Sequence, residues 1–290
     1  MDSITSWLIG GIAIVFSLGQ LGAATSQAPS LQPPTAPVII TGKTPAITTT
    51  AAAILILDAN TNHEIYSQNA DQIRAMASLT KLMTAYIIAR NHKSDEMVTI
   101  PPSVTSVQAG DSVVLGLRPG DQVSVGQLLQ ALLIPSANDA AVSLAVFHAG
   151  SESAFVDTMN RTARELGMTN TTYKNPSGLD ADGHVSTARD LARLTHYVLE
   201  SPLIAQTVRQ NQATIITQQG RSYKLVSTNK LLGQSGVIGV KTGTTGAAGE
   251  CLITLSERSG RKVLTVMLGS QNRFPETRSM LDLTFGLNYY

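Results

Sequence analysis

A hydroxyl and a primary amine stand three residues apart at Ser78-Leu79-Thr80-Lys81. On a helix, positions i and i+3 share a face, so the two side chains can touch. Serine is a poor nucleophile until a base takes its proton. Lysine can be that base only where burial or a second cation keeps it neutral. The pattern alone carries no weight, because Ser227-Thr228-Asn229-Lys230 repeats it. Context separates the copies. Ser78 opens a run with apolar residues at Leu79, Leu82, Met83, Tyr86 and Ile87, the spacing of an amphipathic helix over 78–90. Ser227 instead follows a strand-like run and sits in a polar turn.

Two other runs can complete such a site. Ser136-Ala137-Asn138 lies between two helical segments, where Ser136 reads as a helix N-cap, a place compatible with a catalytic role. Ser-x-Asn recurs at Ser67-Gln68-Asn69 and Ser270-Gln271-Asn272, so it too is weak alone. Lys241-Thr242-Gly243-Thr244 occurs once, at the end of an apolar strand. There Lys241 offers a cation and Thr242 a hydroxyl to an anionic group. Gly243 would let a substrate backbone lie close to the strand. His63, His92, His148, His184 and His196 read as exposed or capping side chains without metal spacing, and the chemistry needs no metal or cofactor. Cys251, the single cysteine, excludes an intramolecular disulfide and reads as a small buried hydrophobe.

The elements that must position these residues follow from periodicity. Strands are expected at 52–57 and 64–68, joined by a polar turn. Helices follow at 78–90, 125–133, 139–148, 153–166 and 187–199. Strands return at 213–217, 222–226, 237–242, 250–255 and 262–268, and a helix at 273–285 closes the pattern. Strands, a helical middle, strands again and a last helix describe an α+β fold with an antiparallel sheet and a mainly helical subdomain. The 290 residues carry a formal net charge of +1, which gives no electrostatic case for nucleic acid.

Trp7 to Leu21 is almost unbroken apolar sequence followed by small residues, the pattern of a signal peptide. No Lys or Arg precedes it, so a cleaved signal and a retained N-terminal membrane anchor both stay open. Residues 1–24 are read as this segment, 25–50 as a Pro/Thr/Ser-rich linker, and 51–290 as the catalytic domain. The placement expected is extracytoplasmic: secreted, periplasmic or on the outer face of the cytoplasmic membrane.

In order, Ser78–Lys81, Ser136–Asn138 and Lys241–Gly243 resemble the three motifs of the serine β-lactamases and penicillin-binding proteins. The likeness runs from about residue 53 to 285. LDANTNHEIYSQNADQIRAMASLTKLMTAY, LGMTNTTYKNPSGLD, STARDLARL, STNKLL and GVKTGTTGAAGECL resemble the low-molecular-mass D-Ala-D-Ala carboxypeptidases of peptidase family S11. The resemblance implies a β-lactamase/transpeptidase-like fold and a set of roles. Ser78 attacks the penultimate D-alanine carbonyl of a peptidoglycan stem peptide, and Lys81 takes the proton. Ser136, its hydroxyl held by Lys241, protonates the leaving amine, and Asn138 orients Lys81. The N–H groups of Ser78 and Thr244 form the oxyanion hole. Lys241, Thr242 and Arg273, with Arg278 as its rival, receive the terminal carboxylate, and Gly243 lies against the substrate. β-Lactams are the implied covalent inhibitors.

Class A β-lactamases share this spacing but carry a Glu-x-x-Leu-Asn loop, and the corresponding Tyr173–Leu179 stretch has no glutamate. Ser177 stands where many carboxypeptidases have His. The chain ends at Asn288-Tyr289-Tyr290, without the β-rich second domain and amphipathic anchor common in the family. That leaves attachment to the N-terminus and makes DD-endopeptidase the alternative, ahead of a β-lactamase or a non-catalytic peptidoglycan-binding protein.

Overall fold

The computed structural model describes residues 47–107 and 113–286. The apolar segment 1–24 and nearly all of the 25–50 linker lie outside the described residues. Among the described residues, no helix is long and apolar enough to cross a membrane.

The chain opens with β1 (Ala53–Asp58) and β2 (Glu64–Gln68), then a 3-10 turn at Ala77–Thr80 that runs straight into α1 (Lys81–Asn91). Next come β3 (Met97–Thr99), β4 (Gln122–Ser124), α2 (Val125–Leu133), α3 (Asn138–Ala149), α4 (Glu152–Glu165), α5 (Ala188–Leu199) and α6 (Pro202–Thr207). The hairpin β5 (Gln212–Ile216) and β6 (Ser222–Val226) precedes β7 (Val237–Thr245), β8 (Gly249–Arg258), β9 (Arg261–Ser270) and α7 (Arg273–Gly286).

The main sheet has the order β2-β1-β9-β8-β7 and is antiparallel throughout. Its central strands are buried on both faces, so they read as continuous apolar runs rather than alternating ones. Ile54, Ile56, Leu252, Val263 and Met267 face Met280 and Leu281 of α7. Leu55, Ile253, Val266 and Leu268 face the helical subdomain. β7 is an edge strand, which leaves one side of it free to line a cleft.

Local chemistry sets the helix ends. Ser124 and Gln127 form a reciprocal capping box on α2, and Ser151, Thr187 and Ser201 cap α4, α5 and α6. Gly150 ends α3 with φ +77, a conformation that costs glycine nothing. Two expectations need correction. First, α1 is not amphipathic: Lys81 through Ile88 are all buried, and the helix is surrounded by the core. Second, Ser136 does not cap α3; the cap position is Ala137, with no side-chain bond. The β3–β4 pair, the 3-10 turn at Pro102–Ser106 and α6 add to the elements that periodicity marks. Three-residue strands are too short to show a period, though Ser201-Pro202 is a legible helix start.

Candidate active site

The 3-10 turn explains why Ser78 and Lys81 meet. With three residues per turn, positions i and i+3 eclipse. Lys81 Nζ lies 2.8 Å from Ser78 Oγ, 2.7 Å from Asn138 Oδ1 and 2.6 Å from the Ser177 carbonyl. Lys81 is fully buried. Burial holds its amine well below the ordinary lysine range, and the nearby Lys241 charge pushes the same way while Asp139 opposes. Asp139 is turned toward other work, accepting the N–H groups of Leu115, Gly116 and Leu117 at 2.9–3.2 Å.

The partners accommodate a neutral amine at Lys81. Asn138 Oδ1 and the Ser177 carbonyl can only accept, whereas the Ser78 hydroxyl can donate. A neutral amine has two N–H bonds for the two acceptors and one lone pair for the hydroxyl. The geometry therefore suits a base poised on Ser78 Oγ.

Ser136 sits nearby with φ +71, a left-handed conformation rare outside glycine. Its Oγ is buried and unpartnered, as is Asn138 Nδ2. The expected Lys241–Ser136 bond is not formed: Lys241 Nζ donates to the Thr242 carbonyl at 2.9 Å. Lys241 is buried, and desolvation followed by the Arg273 charge lowers its pKa to about 7. Ser78, Ser136, Asn138, Thr242, Gly243, Thr244 and Arg273 line one cleft of about 420 Å³, together with Gly178–Asp180 and Thr228.

One position on β7 adds to the sequence expectation. A Cβ on Gly243 would stand 3.0 Å from Ala77 Cβ and 3.0 Å from Ser78 N. The missing side chain thus admits the protein's own Ser78 turn, and Gly243 also lines the cleft. Arg273, the first residue of α7, reaches back to β7 and donates to the Gly243 carbonyl at 2.7 Å and to Thr244 Oγ1 at 2.5 Å. Arg278 points elsewhere, onto Gln234 Oε1 at 2.6 Å.

Other contributors escaped the sequence reading. The Ser177 carbonyl enters through the backbone, which no side-chain pattern announces. Gly178 has φ +88, and a Cβ there would fall 2.0 Å from the Ala77 carbonyl oxygen, so only glycine lets this loop press on the Ser78 turn. Asn175 Oδ1 shapes the loop by accepting from the N–H groups of Ser177, Gly178 and Leu179, and Asn-Pro-Ser-Gly is a legible turn composition. Thr228 Oγ1 pairs with Thr242 Oγ1 at 2.5 Å, so the second Ser-x-x-Lys run lends a residue to the cleft. His184 is neither exposed nor a cap: it is 4% exposed and bonded to Thr80. His92 and His148 bond each other at 3.0 Å, at the far ends of α1 and α3.

The profile of the D-alanyl-D-alanine carboxypeptidases, peptidase S11, matches residues 40–272. The chain belongs to this family. It is 36% identical to the D-alanyl-D-alanine carboxypeptidase DacC of Escherichia coli K12 over 255 residues, 83% of this chain and 62% of that one. It is 35% identical to the D-alanyl-D-alanine endopeptidase of the same organism, covering 80% of this chain and 77% of that protein. The Streptomyces K15 DD-transpeptidase superposes with a TM-score of 0.77 at 30% identity, over 83% of this chain and 98% of that one. The fold is therefore the α+β architecture of the DD-transpeptidases and carboxypeptidases. The S11 chain described here spans 62% of the length of its curated carboxypeptidase relatives, the Bacillus subtilis enzyme DacF among them.

Proposed function

We propose that this S11 protein is a serine-type D-Ala-D-Ala carboxypeptidase that trims peptidoglycan stem peptides through an acyl-enzyme on Ser78. The observation that carries the reading is the Lys81 amine, buried and held between two obligate acceptors and the Ser78 hydroxyl. Lys81 removes the hydroxyl proton as Ser78 Oγ attacks the penultimate D-alanine carbonyl. The N–H groups of Ser78 and Thr244 receive the developing oxyanion; one such donor is worth roughly 3 kcal/mol of transition-state stabilisation. Ser136, its Oγ free of other partners, hands a proton to the departing D-alanine nitrogen. Asn138 Nδ2, also free, donates to the substrate backbone. Lys241, Thr242 and Arg273 hold the terminal carboxylate, and water then cleaves the ester.

Penicillins mimic the acyl-D-Ala-D-Ala end and form the same ester. The substrate lies outside the cytoplasm, so the enzyme is exported, with segment 1–24 as signal or tether. Incubation with benzylpenicillin followed by intact mass tests the reading. A persistent adduct, absent from Ser78→Ala, supports it. No adduct refutes the acyl-enzyme, and rapid turnover without an adduct points to a β-lactamase.

A DD-endopeptidase is the second reading. It rests on a likeness of the same order: 35% identity to the Escherichia coli endopeptidase, against 36% to the carboxypeptidase DacC. Pentapeptide monomers and cross-linked dimers, supplied separately, decide by which is consumed.

A further inference from the structure

Behind the Ser78 turn runs a buried chain of three hydrogen bonds whose protons can be placed one by one. The Lys174 N–H donates to His184 Nδ1 at 2.9 Å, so Nδ1 carries the lone pair. The neutral ring then bears its proton on Nε2, which lies 2.7 Å from Thr80 Oγ1. Thr80 has a single hydroxyl proton, and it goes to the Ala77 carbonyl at 2.8 Å, a group that can only accept. Thr80 is fully buried and His184 nearly so. Burial lowers the imidazole pKa to about 4, which keeps the ring in the neutral form this assignment requires. A charged ring would set a second N–H against the Lys174 N–H.

The last acceptor is the informative one. The Ala77 carbonyl and the Ser78 N–H belong to one peptide unit, and that unit is trans. In a trans peptide the C=O and N–H point in opposite directions. A carbonyl anchored at the back therefore fixes where the N–H points at the front, where Ser78 lines the cleft. Among the described residues the Ser78 N–H finds no acceptor. The unit needs an anchor, because Ala77 has φ +48, an unfavourable conformation for a residue with a Cβ. Hydrogen bonds in series also polarise one another, so a carbonyl that accepts makes its own N–H a better donor.

We infer that Thr80 and His184 are positioning residues of the oxyanion hole, aiming and polarising the Ser78 N–H through the Ala77 carbonyl. The inference rests on the acyl-enzyme reading above. Neither side chain lines the cleft. Their role is to make one backbone donor rigid and strong in the transition state.

The test compares wild type, Thr80→Val, Thr80→Ser and His184→Phe in single-turnover acylation by benzylpenicillin, with thermal unfolding as the check on folding. Thr80→Val keeps the shape and deletes the hydroxyl. It should slow acylation about tenfold while leaving the affinity of the pre-acylation complex unchanged. The ester carbonyl stretch of its penicilloyl adduct, read by infrared difference spectroscopy, should move to higher frequency, because the donor facing it is weaker. Thr80→Ser should restore both rate and stretch. His184→Phe leaves the Thr80–Ala77 bond in place and should show the same two changes at about threefold. It carries the test by itself if Thr80→Val does not fold. An unmoved stretch and a wild-type rate in a folded Thr80→Val or His184→Phe overturn the inference. Absence of an adduct in wild type overturns the acyl-enzyme reading instead, so the two failures are told apart.

Discussion

The chain contains the same four-residue pattern twice, and the two copies have opposite fates. Ser78 and Lys81 lie on a 3-10 turn entering a buried helix, with Nζ and Oγ 2.8 Å apart. Ser227 and Lys230 lie in the turn between β6 and β7. There Ser227 Oγ accepts the Asn229 N–H at 3.2 Å, and exposed Lys230 rests over the Phe274 ring at 5.8 Å. A serine three residues before a lysine is thus a matter of spacing, whereas a nucleophile with a base is a matter of burial. Desolvation is what turns an ammonium into an amine.

The comparison is broken most directly by removing the two serines. Ser78→Ala should lower acylation by benzylpenicillin by at least about 10⁴-fold, while Ser227→Ala stays within about twofold. Mass spectrometry of each variant reads the outcome, and equal losses would erase the distinction. The lysines come next. Lys81→Met preserves length and removes the base, so acylation should fall about 10³-fold at every pH, against less than about twofold for Lys230→Met. Stopped-flow acylation rates decide.

The first copy also contains a proton-linked element. His184, bonded to Thr80 inside the Ser-Leu-Thr-Lys run, has a folded pKa of about 4 against an ordinary 6.5. Between those values the unfolded chain binds more protons than the folded one, so stability rises with pH across that window. Acidification from pH 6.5 to 4 should therefore destabilise the domain, by at most about 3 kcal/mol from this group. Denaturant titrations of wild type and His184→Phe should show that dependence flattened in the variant. The smallest effect belongs to the second copy's own contribution. Thr228→Val, which removes the partner of Thr242 Oγ1, should reduce kcat/KM on a D-Ala-D-Ala peptide about threefold. No change there would confine the second run to a structural turn.

Much of the fold was legible because apolar period marks the long elements. The helix expected at 125–133 coincides with α2, and the strands expected at 64–68 and 222–226 coincide with β2 and β6. The periodicity of α1 misled in one respect, since a helix at the centre of the core has no polar face to show. Of the residues the three motifs single out, Ser78, Ser136, Asn138, Thr242 and Gly243 line one cleft, while Lys81 and Lys241 are buried beside it. Backbone contributions stayed invisible: the Ser177 carbonyl on Lys81 and the Ala77 carbonyl behind Ser78 depend on folding, not on side-chain type. An isolated histidine in a turn reads as exposed, yet His184 is buried. It lies against the Tyr173 ring, the Lys174 N–H and the hydroxyl of Thr80, the last of these 104 residues away in sequence.

The central claim is that Lys81 is an uncharged amine facing Ser78 at working pH. Nitrogen-15 NMR of lysine-labelled protein at pH 7.5, with Lys81→Met identifying the resonance, tests it directly. A Lys81 Nζ shift in the neutral-amine range, unchanged up to alkaline pH and moving only on acidification, is the result expected. An ammonium shift for Lys81 at that pH, with acylation intact, would contradict the account.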